Sequence, residues 1–330
     1  MNPTYLYSLL SMGGIAALLA AVLGFASEHF KVEQDPRVGK VEDALPGVNC
    51  GACGYAGCEA FADAVVNGDA PVGGCPVGGD SVASDLAEIM GADAGSSDKV
   101  VAELLCGGGI KETTKSGKYQ GIETCRAAHA VNGGEKECQY SCLGFGDCEA
   151  ICPFDAIEMN ANGLPEIDYD KCTGCGKCIE ECSRDVLTLA PLSGNTHIRC
   201  SSHNTGKIVR KTCELGCIGC SLCAKVCPVD AIEMKDNLAV IDYEKCVNCG
   251  KCAEKCPTGT IEFQGKWIEK VEINDKCVGC TLCAKACPVD CIDGEVKKLH
   301  EIDQERCIQC GLCYEACNVD AVNIFYKEED

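Results

Sequence analysis

Residues 217–228 read CIGCSLCAKVCP, and the spacing of the four cysteines in this stretch, C-x2-C-x2-C-x3-C, decides the fold. Three cysteines on one tight loop can bind three iron corners of a [4Fe–4S] cubane, and the fourth, displaced past a helical turn, ligates the other cluster of a pair. The spacing occurs at Cys172, Cys175, Cys178 and Cys182; at Cys217, Cys220, Cys223 and Cys227; at Cys246, Cys249, Cys252 and Cys256; at Cys277, Cys280, Cys283 and Cys287; and at Cys307, Cys310, Cys313 and Cys317. This repetition predicts paired clusters.

Composition limits the other classes of protein. The chain has 33 cysteines among 330 residues and a formal net charge of −21. Such a cysteine content is typical of disulfide scaffolds or metal proteins. Disulfide frameworks are usually short secreted domains that rarely repeat one tight spacing, whereas paired C-x2-C motifs can also build zinc sites. We interpret the cysteines as iron–sulfur ligands, with zinc as an alternative. The negative charge argues against nucleic-acid binding.

Three segments between the quartets share one plan: CPFDAIEMNANGLPEIDYDKC from residue 152, CPVDAIEMKDNLAVIDYEKC from residue 227 and CPVDCIDGEVKKLHEIDQERC from residue 287. Alternating apolar and polar residues predict a hairpin in each segment, and short β-prone runs at 186–189, 260–263 and 322–325 predict terminal strands. Short helices are expected after each Cys-Pro or near each Gly-x-Cys. The predicted fold class is α+β, with tandem two-cluster units like those of bacterial ferredoxins.

Pairing the quartets gives explicit ligand sets. The first unit opens with a stretched quartet, so its first set is less regular than the others. The predicted sets are Cys138, Cys142, Cys148 with Cys182; Cys172, Cys175, Cys178 with Cys152; Cys217, Cys220, Cys223 with Cys256; Cys246, Cys249, Cys252 with Cys227; Cys277, Cys280, Cys283 with Cys317; and Cys307, Cys310, Cys313 with Cys287.

A different spacing, C-x2-C-x4-C-x16-C, lies nearer the N-terminus, at Cys50, Cys53, Cys58 and Cys75. It brings four thiolates to one self-contained site and predicts a seventh cluster. A zinc knuckle is the alternative, since S4 spacing alone does not identify the metal. The glycine-rich loop suits close backbone approach to a cubane better.

Five cysteines remain outside these sets. Four of them, Cys106, Cys125, Cys200 and Cys213, flank the first ferredoxin-like unit, and we take as a hypothesis that they converge on an eighth cluster. The alternative is that they are buried free thiols that behave as small apolar groups. Cys291, at an alanine position of the repeats, is interpreted as a core thiol.

The N-terminal residues predict a membrane anchor. Residues 5–26 carry no charge, enough for one transmembrane helix, and Lys31, Arg37 and Lys40 follow it, which places the rest of the chain in the cytoplasm. A cleaved signal peptide is the alternative. A polar linker is expected over about 28–45 and a helix over 84–90. The predicted domains are 1–27 (anchor), 28–97 (N-terminal cluster module and linker), and the three ferredoxin-like units 98–212, 213–265 and 266–330.

No motif for nucleotide chemistry is found in the sequence. The histidines show no metal or catalytic spacing, and no glycine run has the frame of a P-loop or dinucleotide fingerprint. We therefore expect no flavin or NAD on this chain and no catalytic residue of its own. The chain should move electrons without doing hydride chemistry.

The stretch 45–58, LPGVNCGACGYAGC, follows the N-terminal apolar segment and precedes the tandem cluster units. This combination resembles the B subunits of Rnf complexes, the membrane-bound ferredoxin:NAD+ oxidoreductases of bacteria. Residues 125–128 and 142–157 are similar to the first ferredoxin segment of that family. The resemblance covers residues 1–260, and the three units resemble the extended versions of anaerobes.

The resemblance implies a role as an electron-transfer subunit at the cell membrane. Reduced ferredoxin would be the donor, other Rnf membrane and flavin- or NAD-binding subunits would be the acceptors, and the transfer would drive Na+ or H+ export. Candidate basic residues for docking ferredoxin are Lys266, Lys270, Lys276, Lys285, Lys297, Lys298 and Arg306. The rival interpretation is an anchored polyferredoxin that serves a hydrogenase or another dehydrogenase. The 50–75 module favours the Rnf interpretation, because a plain polyferredoxin does not need it.

Overall fold

The computed structural model describes residues 3–29, 35–94 and 98–327. Residues 5–26 lie within one helix, α1 (Pro3–His29). Among the residues whose placement is described, no helix has both the length and the apolarity needed to cross a membrane. The transmembrane anchor expected over 1–27 is therefore not supported by the described residues.

Three helices form the next module: α2 (Pro36–Ala44), α3 (Cys58–Asn67) and α4 (Gly79–Met90). Their apolar faces meet around Val41, Phe61 and Leu86, which are almost completely buried. Helix α2 lies where the sequence predicted a polar linker. The prediction was wrong there because a short amphipathic helix contributes only a few apolar residues to a core and is otherwise polar. Helix α4 begins earlier than the predicted 84–90.

Three repeated units follow, and each contains a central antiparallel hairpin. The hairpins are β2 (Ile157–Met159) with β3 (Pro165–Ile167), β6 (Ile232–Lys235) with β7 (Leu238–Ile241), and β10 (Ile292–Asp293) with β11 (Glu301–Ile302). They lie between the two cysteine quartets of each unit, as the alternation in sequence predicts.

A second antiparallel pair closes each unit. It joins a strand before the first quartet to a strand after the second: β1 (Val100–Leu104) with β4 (Leu187–Pro191), β5 (Thr196–Ile198) with β8 (Ile261–Phe263), and β9 (Ile268–Ile273) with β12 (Val322–Tyr326). The later strand of each pair was predicted, but the earlier strand was not. The earlier strands lie outside the repeated segments, and their partners are distant in sequence.

Short helices follow the cysteine loops. They are α6 (Asp147–Ala150), α7 (Lys177–Glu181), α9 (Leu222–Val226), α10 (Lys251–Glu254), α11 (Leu282–Ala286) and α12 (Leu312–Glu315); α5 (Cys125–Ala130) and α8 (Gly206–Thr212) lie outside the loops. No helix of the described residues begins at a Cys-Pro, so that part of the expectation was wrong. The chain instead turns there, through a residue such as Asp155 or Asp230 with φ near 50°. Aspartate tolerates this left-handed conformation because its short side chain bonds locally.

The first and second units are joined by a buried ionic network. The carboxylate of Glu103, on β1, is almost completely buried and pairs with the guanidinium of Arg199, just after β5. The Tyr169 hydroxyl donates to the same carboxylate at 2.7 Å. Arg199 also pairs with the half-exposed Glu262 on β8. These contacts hold β1 against the β5·β8 pair.

Candidate iron–sulfur sites

The N-terminal module forms a cavity of about 20 Å³ whose lining includes four cysteines, Cys50, Cys53, Cys58 and Cys75. The loop is held by Asn49, whose side-chain oxygen accepts the backbone N–H of Cys58 at 2.8 Å. A Cβ at Gly57 would lie 2.9 Å from that oxygen, so a side chain there would displace Asn49 from this hydrogen bond. The structure thus brings together all four cysteines that the sequence grouped.

The first ferredoxin-like unit holds two groups of cysteines. Cys125, Cys142, Cys148 and Cys182 line one cavity of about 20 Å³. In the other group, the charges of Cys172, Cys175 and Cys152 help raise the pKa of the Cys178 thiol to about 12, although burial is the larger cause. This second group has the membership predicted from the sequence.

The first group differs from the sequence-based set at one position. Cys125 takes the place assigned to Cys138, because helix α5 begins at Cys125 and is joined to the first residue of α6: the Arg126 N–H donates to the Asp147 carboxylate at 3.1 Å. Cys138 instead faces Cys106, whose charge adds to the effect of burial in raising the Cys138 pKa. The exchange is invisible in sequence, since the stretched opening of this unit offers more cysteines than one set requires.

The second unit keeps both predicted groups. Cys217, Cys220, Cys223 and Cys256 line a cavity of about 20 Å³. In the other group, burial raises the pKa of Cys246, and the charges of Cys249 and Cys227 raise it further. Cys252 belongs to this group, because Cys249 and Cys246 act in the same way on its pKa, which burial and these charges raise to about 12.

The third unit follows the same plan. Cys277 and Cys280 lie near Cys283, and Cys287 and Cys307 lie near Cys310; in both cases burial is the main cause of a raised thiol pKa, and the neighbouring thiols add to it. Cys313 belongs to the second group, and Cys317 packs in the same core. Cys291 is 3% exposed, and its sulfur lies 3.4 Å from that of Cys287. Its burial agrees with the interpretation as a core thiol.

A further cavity, of about 20 Å³, lies at the junction of the first and second units. Its lining includes four cysteines, Cys106, Cys138, Cys200 and Cys213. Three of these were among the four that the sequence left over, and Cys138 replaces Cys125. Burial raises the pKa of Cys200 to about 12 and that of Cys213 to about 11.

Backbone amides point at the sulfurs throughout. The fourth cysteine of several loops accepts the N–H of the residue four positions later: Ala156 to Cys152 at 3.4 Å, Ala231 to Cys227 at 3.2 Å, Cys291 to Cys287 at 3.4 Å and Ala321 to Cys317 at 3.3 Å. The left-handed residue before each of these amides turns the N–H towards the sulfur. Such bonds stabilise thiolate over thiol.

The donor sets fit a polynuclear cluster. In four of the groups, four cysteine thiols line one small cavity of about 20 Å³. Four thiolates are the donor set of a [4Fe–4S] cluster. Buried thiols with raised pKa values become ligands only when a metal replaces their protons.

Neighbouring groups approach one another through pairs of cysteines. In each pair the charge of one thiol raises the pKa of the other, with burial as the larger cause: Cys50 and Cys175, Cys148 and Cys178, Cys200 and Cys217, Cys223 and Cys252, and Cys283 and Cys313. The groups therefore form a succession that starts at the N-terminal module and runs through the first two units.

Family models match most of the cysteine-bearing sequence. A model described as "Putative Fe-S cluster" matches residues 45–77, and one described as "4Fe-4S binding domain" matches 164–187. Models described as "4Fe-4S dicluster domain" match 216–260, 276–321 and, in a shifted frame, 239–293.

Several curated proteins are similar over most of the chain. The B subunit of the Na(+)-translocating ferredoxin:NAD(+) oxidoreductase complex of Acetobacterium woodii is 44% identical over 70% of this chain and 70% of its own. The proton-translocating counterpart of Clostridium ljungdahlii is 44% identical over 72% of this chain and 84% of its own. The B subunit of the ion-translocating oxidoreductase complex of Methanosarcina acetivorans is 40% identical over 74% and 93%.

A solved chain of the formate dehydrogenase–heterodisulfide reductase–formylmethanofuran dehydrogenase complex of Methanospirillum hungatei aligns with 57% of this chain and 79% of its own, at 24% identity and a TM-score of 0.20. At this TM-score the structural similarity supports no conclusion. The identities to the three B subunits, over about 70% of the chain or more, do support one. Together with its 4Fe-4S domains, they show that this chain belongs to the family of Rnf complex B subunits.

Proposed function

We propose that this chain is the electron-transfer subunit that accepts electrons from reduced ferredoxin and relays them to the other subunits of an Rnf-type ferredoxin:NAD+ oxidoreductase. The observation that carries the proposal is the succession of four-cysteine sites, in which neighbouring sites adjoin one another from the N-terminal module to the second unit. When bound, [4Fe–4S] clusters take up and release single electrons. We also propose that the fold belongs to the α+β class.

Seven of the sites follow the sequence-based groups, with Cys125 in the place of Cys138. The cysteines supply the ligands, and the backbone amides around them balance the negative charge of each site. Flavin and NAD belong to partner subunits in this proposal, and Na+ or H+ is moved by those partners too. The names of the three relatives, two of which specify Na(+) or proton translocation, support this assignment of partners.

Docking of ferredoxin needs local positive charge, because the chain as a whole carries −21. Several lysines of the candidate patch are partly engaged: Lys298 pairs with Glu295 at 2.6 Å and Lys270 with Glu272 at 2.5 Å. Exposed pairs of this kind are weak and exchange readily. We therefore keep Lys297 and Lys298 as the residues on which to test docking.

We also propose that the chain works at the cell membrane, with its cluster units on the cytoplasmic side. The uncharged run over residues 5–26 and the basic residues after it support this location. Carbonate washing of membranes that carry the full chain or a chain without residues 1–27 tests it. Retention of only the full chain supports attachment through α1. Release of both chains by salt alone would contradict membrane attachment by this segment.

The central test uses the full chain, purified without oxygen. Reduced ferredoxin should bleach its visible absorbance, and NAD+ added afterwards should yield no NADH until the other Rnf subunits are present. Lys297→Glu with Lys298→Glu should slow the reduction, while Lys245→Glu, outside the patch, should not. If ferredoxin cannot reduce the chain, or if the chain is reduced only when a hydrogenase is present, the result would favour the interpretation as an anchored polyferredoxin.

A further inference from the structure

We propose that Cys106, Cys138, Cys200 and Cys213 bind an additional [4Fe–4S] cluster that connects the first ferredoxin-like unit to the second. The ligation does not depend on the proposed function, but its role as a connection does. The site is new in two respects: it joins four separate segments of the chain, and it uses a cysteine that sequence spacing assigns elsewhere.

The cavity has the size and the donor set of the other sites. Its volume of about 20 Å³ equals that of each of the three other cavities that are lined by four cysteines. Four thiolates around one shared space are the donors that a cubane needs. Four buried free thiols would more simply pack against one another, as apolar side chains do.

The backbone around the cavity is built for close approach. A Cβ at Gly108 would lie 2.9 Å from the Cys213 sulfur and 2.7 Å from the Thr113 methyl group, so only glycine fits there. The N–H of Ser202 donates to the Cys200 sulfur at 3.4 Å, and the N–H of Cys142 donates to the Cys106 sulfur at 3.4 Å. These are the contacts that thiolate ligands receive in the other sites.

A buried positive charge lies beside the cavity. The Lys136 side chain is only 8% exposed, and its ammonium donates to the Gly108 carbonyl at 2.9 Å. No carboxylate of the described residues forms an ion pair with it. A buried ammonium is costly unless an anion is near, and a cubane with four thiolates carries a charge of roughly −2. Lys136 is therefore placed to balance a cluster at this site.

The position of the site gives it a function. Cys106 packs in the core of the first unit, and its sulfur accepts the N–H of Cys142, a residue that lines the neighbouring cavity. On the other side, Cys200 packs in the core of the second unit together with Cys217, which lines the next cavity. The site is thus in contact with one ligand residue of each adjoining site.

The test counts iron and acid-labile sulfide in the full chain, purified without oxygen and reconstituted. Cys106→Ala with Cys138→Ala removes two ligands of one site and should cost about four iron atoms. Cys106→Ala with Cys125→Ala removes one ligand from each of two sites. It should cost up to about eight iron atoms, or give a [3Fe–4S] signal in electron paramagnetic resonance. Unchanged iron in the Cys106→Ala, Cys138→Ala variant would show that the junction cysteines are free thiols, and the reverse order of losses would restore the sequence-based grouping.

Further variants guard against misfolding. Cys291→Ala is the matched control and should keep all the iron. Cys200→Ser can still ligate through oxygen, so it should keep the iron but change the spectrum of one cluster, whereas substitution of a free thiol would change nothing. In the Cys106→Ala, Cys138→Ala variant, electrons supplied by reduced ferredoxin should reach the N-terminal module at least tenfold more slowly. If ferredoxin reduces no variant at all, the proposed function fails while the iron counts still decide the site.

Discussion

Replacing Arg199 by methionine should loosen the junction between the first and second units. The guanidinium is 18% exposed and the Glu103 carboxylate only 1%, so the substitution leaves a buried carboxylate without its cationic partner. Breaking a buried pair in this way costs about 3–5 kcal/mol. The lower end applies, because the Tyr169 hydroxyl still donates to the carboxylate at 2.7 Å. Methionine keeps much of the packing of the arginine stem.

Hydrogen exchange measured by mass spectrometry reports this change directly. The N–H of Gly107 donates to the Arg199 carbonyl at 2.8 Å, across the junction, so this amide is protected only while the junction is closed. A cost of about 3 kcal/mol raises the open population about a hundredfold. Exchange at the Gly107 amide should therefore accelerate about a hundredfold in the full chain.

Glu262→Gln is the matched control for this prediction. Its side chain is 45% exposed and pairs with the same guanidinium, and exposed pairs contribute at most about 1 kcal/mol. Exchange should accelerate about fivefold or less in this variant. Equal rates in the Arg199→Met and Glu262→Gln variants would refute the view that the buried pair with Glu103 holds the two units together.

Three further predictions concern single sites. Thr258→Val should lower the reduction potential of the cluster held by Cys256, as measured by potentiometric titration. Burial raises the pKa of the Cys256 thiol, but hydrogen bonds from the Thr258 backbone N–H and hydroxyl lower it by more. The fold should tolerate valine, since Val229 occupies the matching position after Cys227-Pro228. Cys291→Ala should leave visible absorbance and iron unchanged and shift the thermal midpoint only slightly; a loss of iron would make Cys291 a ligand. Lys136→Met should lower the potential of the junction cluster, and an unchanged potential would contradict its role in charge balance.

The cysteine groups could be predicted from the sequence wherever the spacing was regular. Three cysteines on one loop must lie together, because a chain of seven residues has little reach, and the fourth follows one helical turn later. The hairpins between quartets were predictable for the same reason: alternation such as that of Ile157 and Met159 is a local signal. Strands β1, β5 and β9 were not predicted, since a strand partnered across an entire unit has no local partner to reveal it.

What the sequence determined by itself was therefore the chemistry of the chain: tandem cysteine quartets, a separate N-terminal module and a resemblance to one family. Only the tertiary structure decided which cysteines outside the regular quartets belong together. Four separate segments carry Cys106, Cys138, Cys200 and Cys213. These segments meet only when β1 pairs with β4 and Glu103 forms its ion pair with Arg199. Spacing cannot report such a site, because loop closure over these distances is set by the packing of whole units.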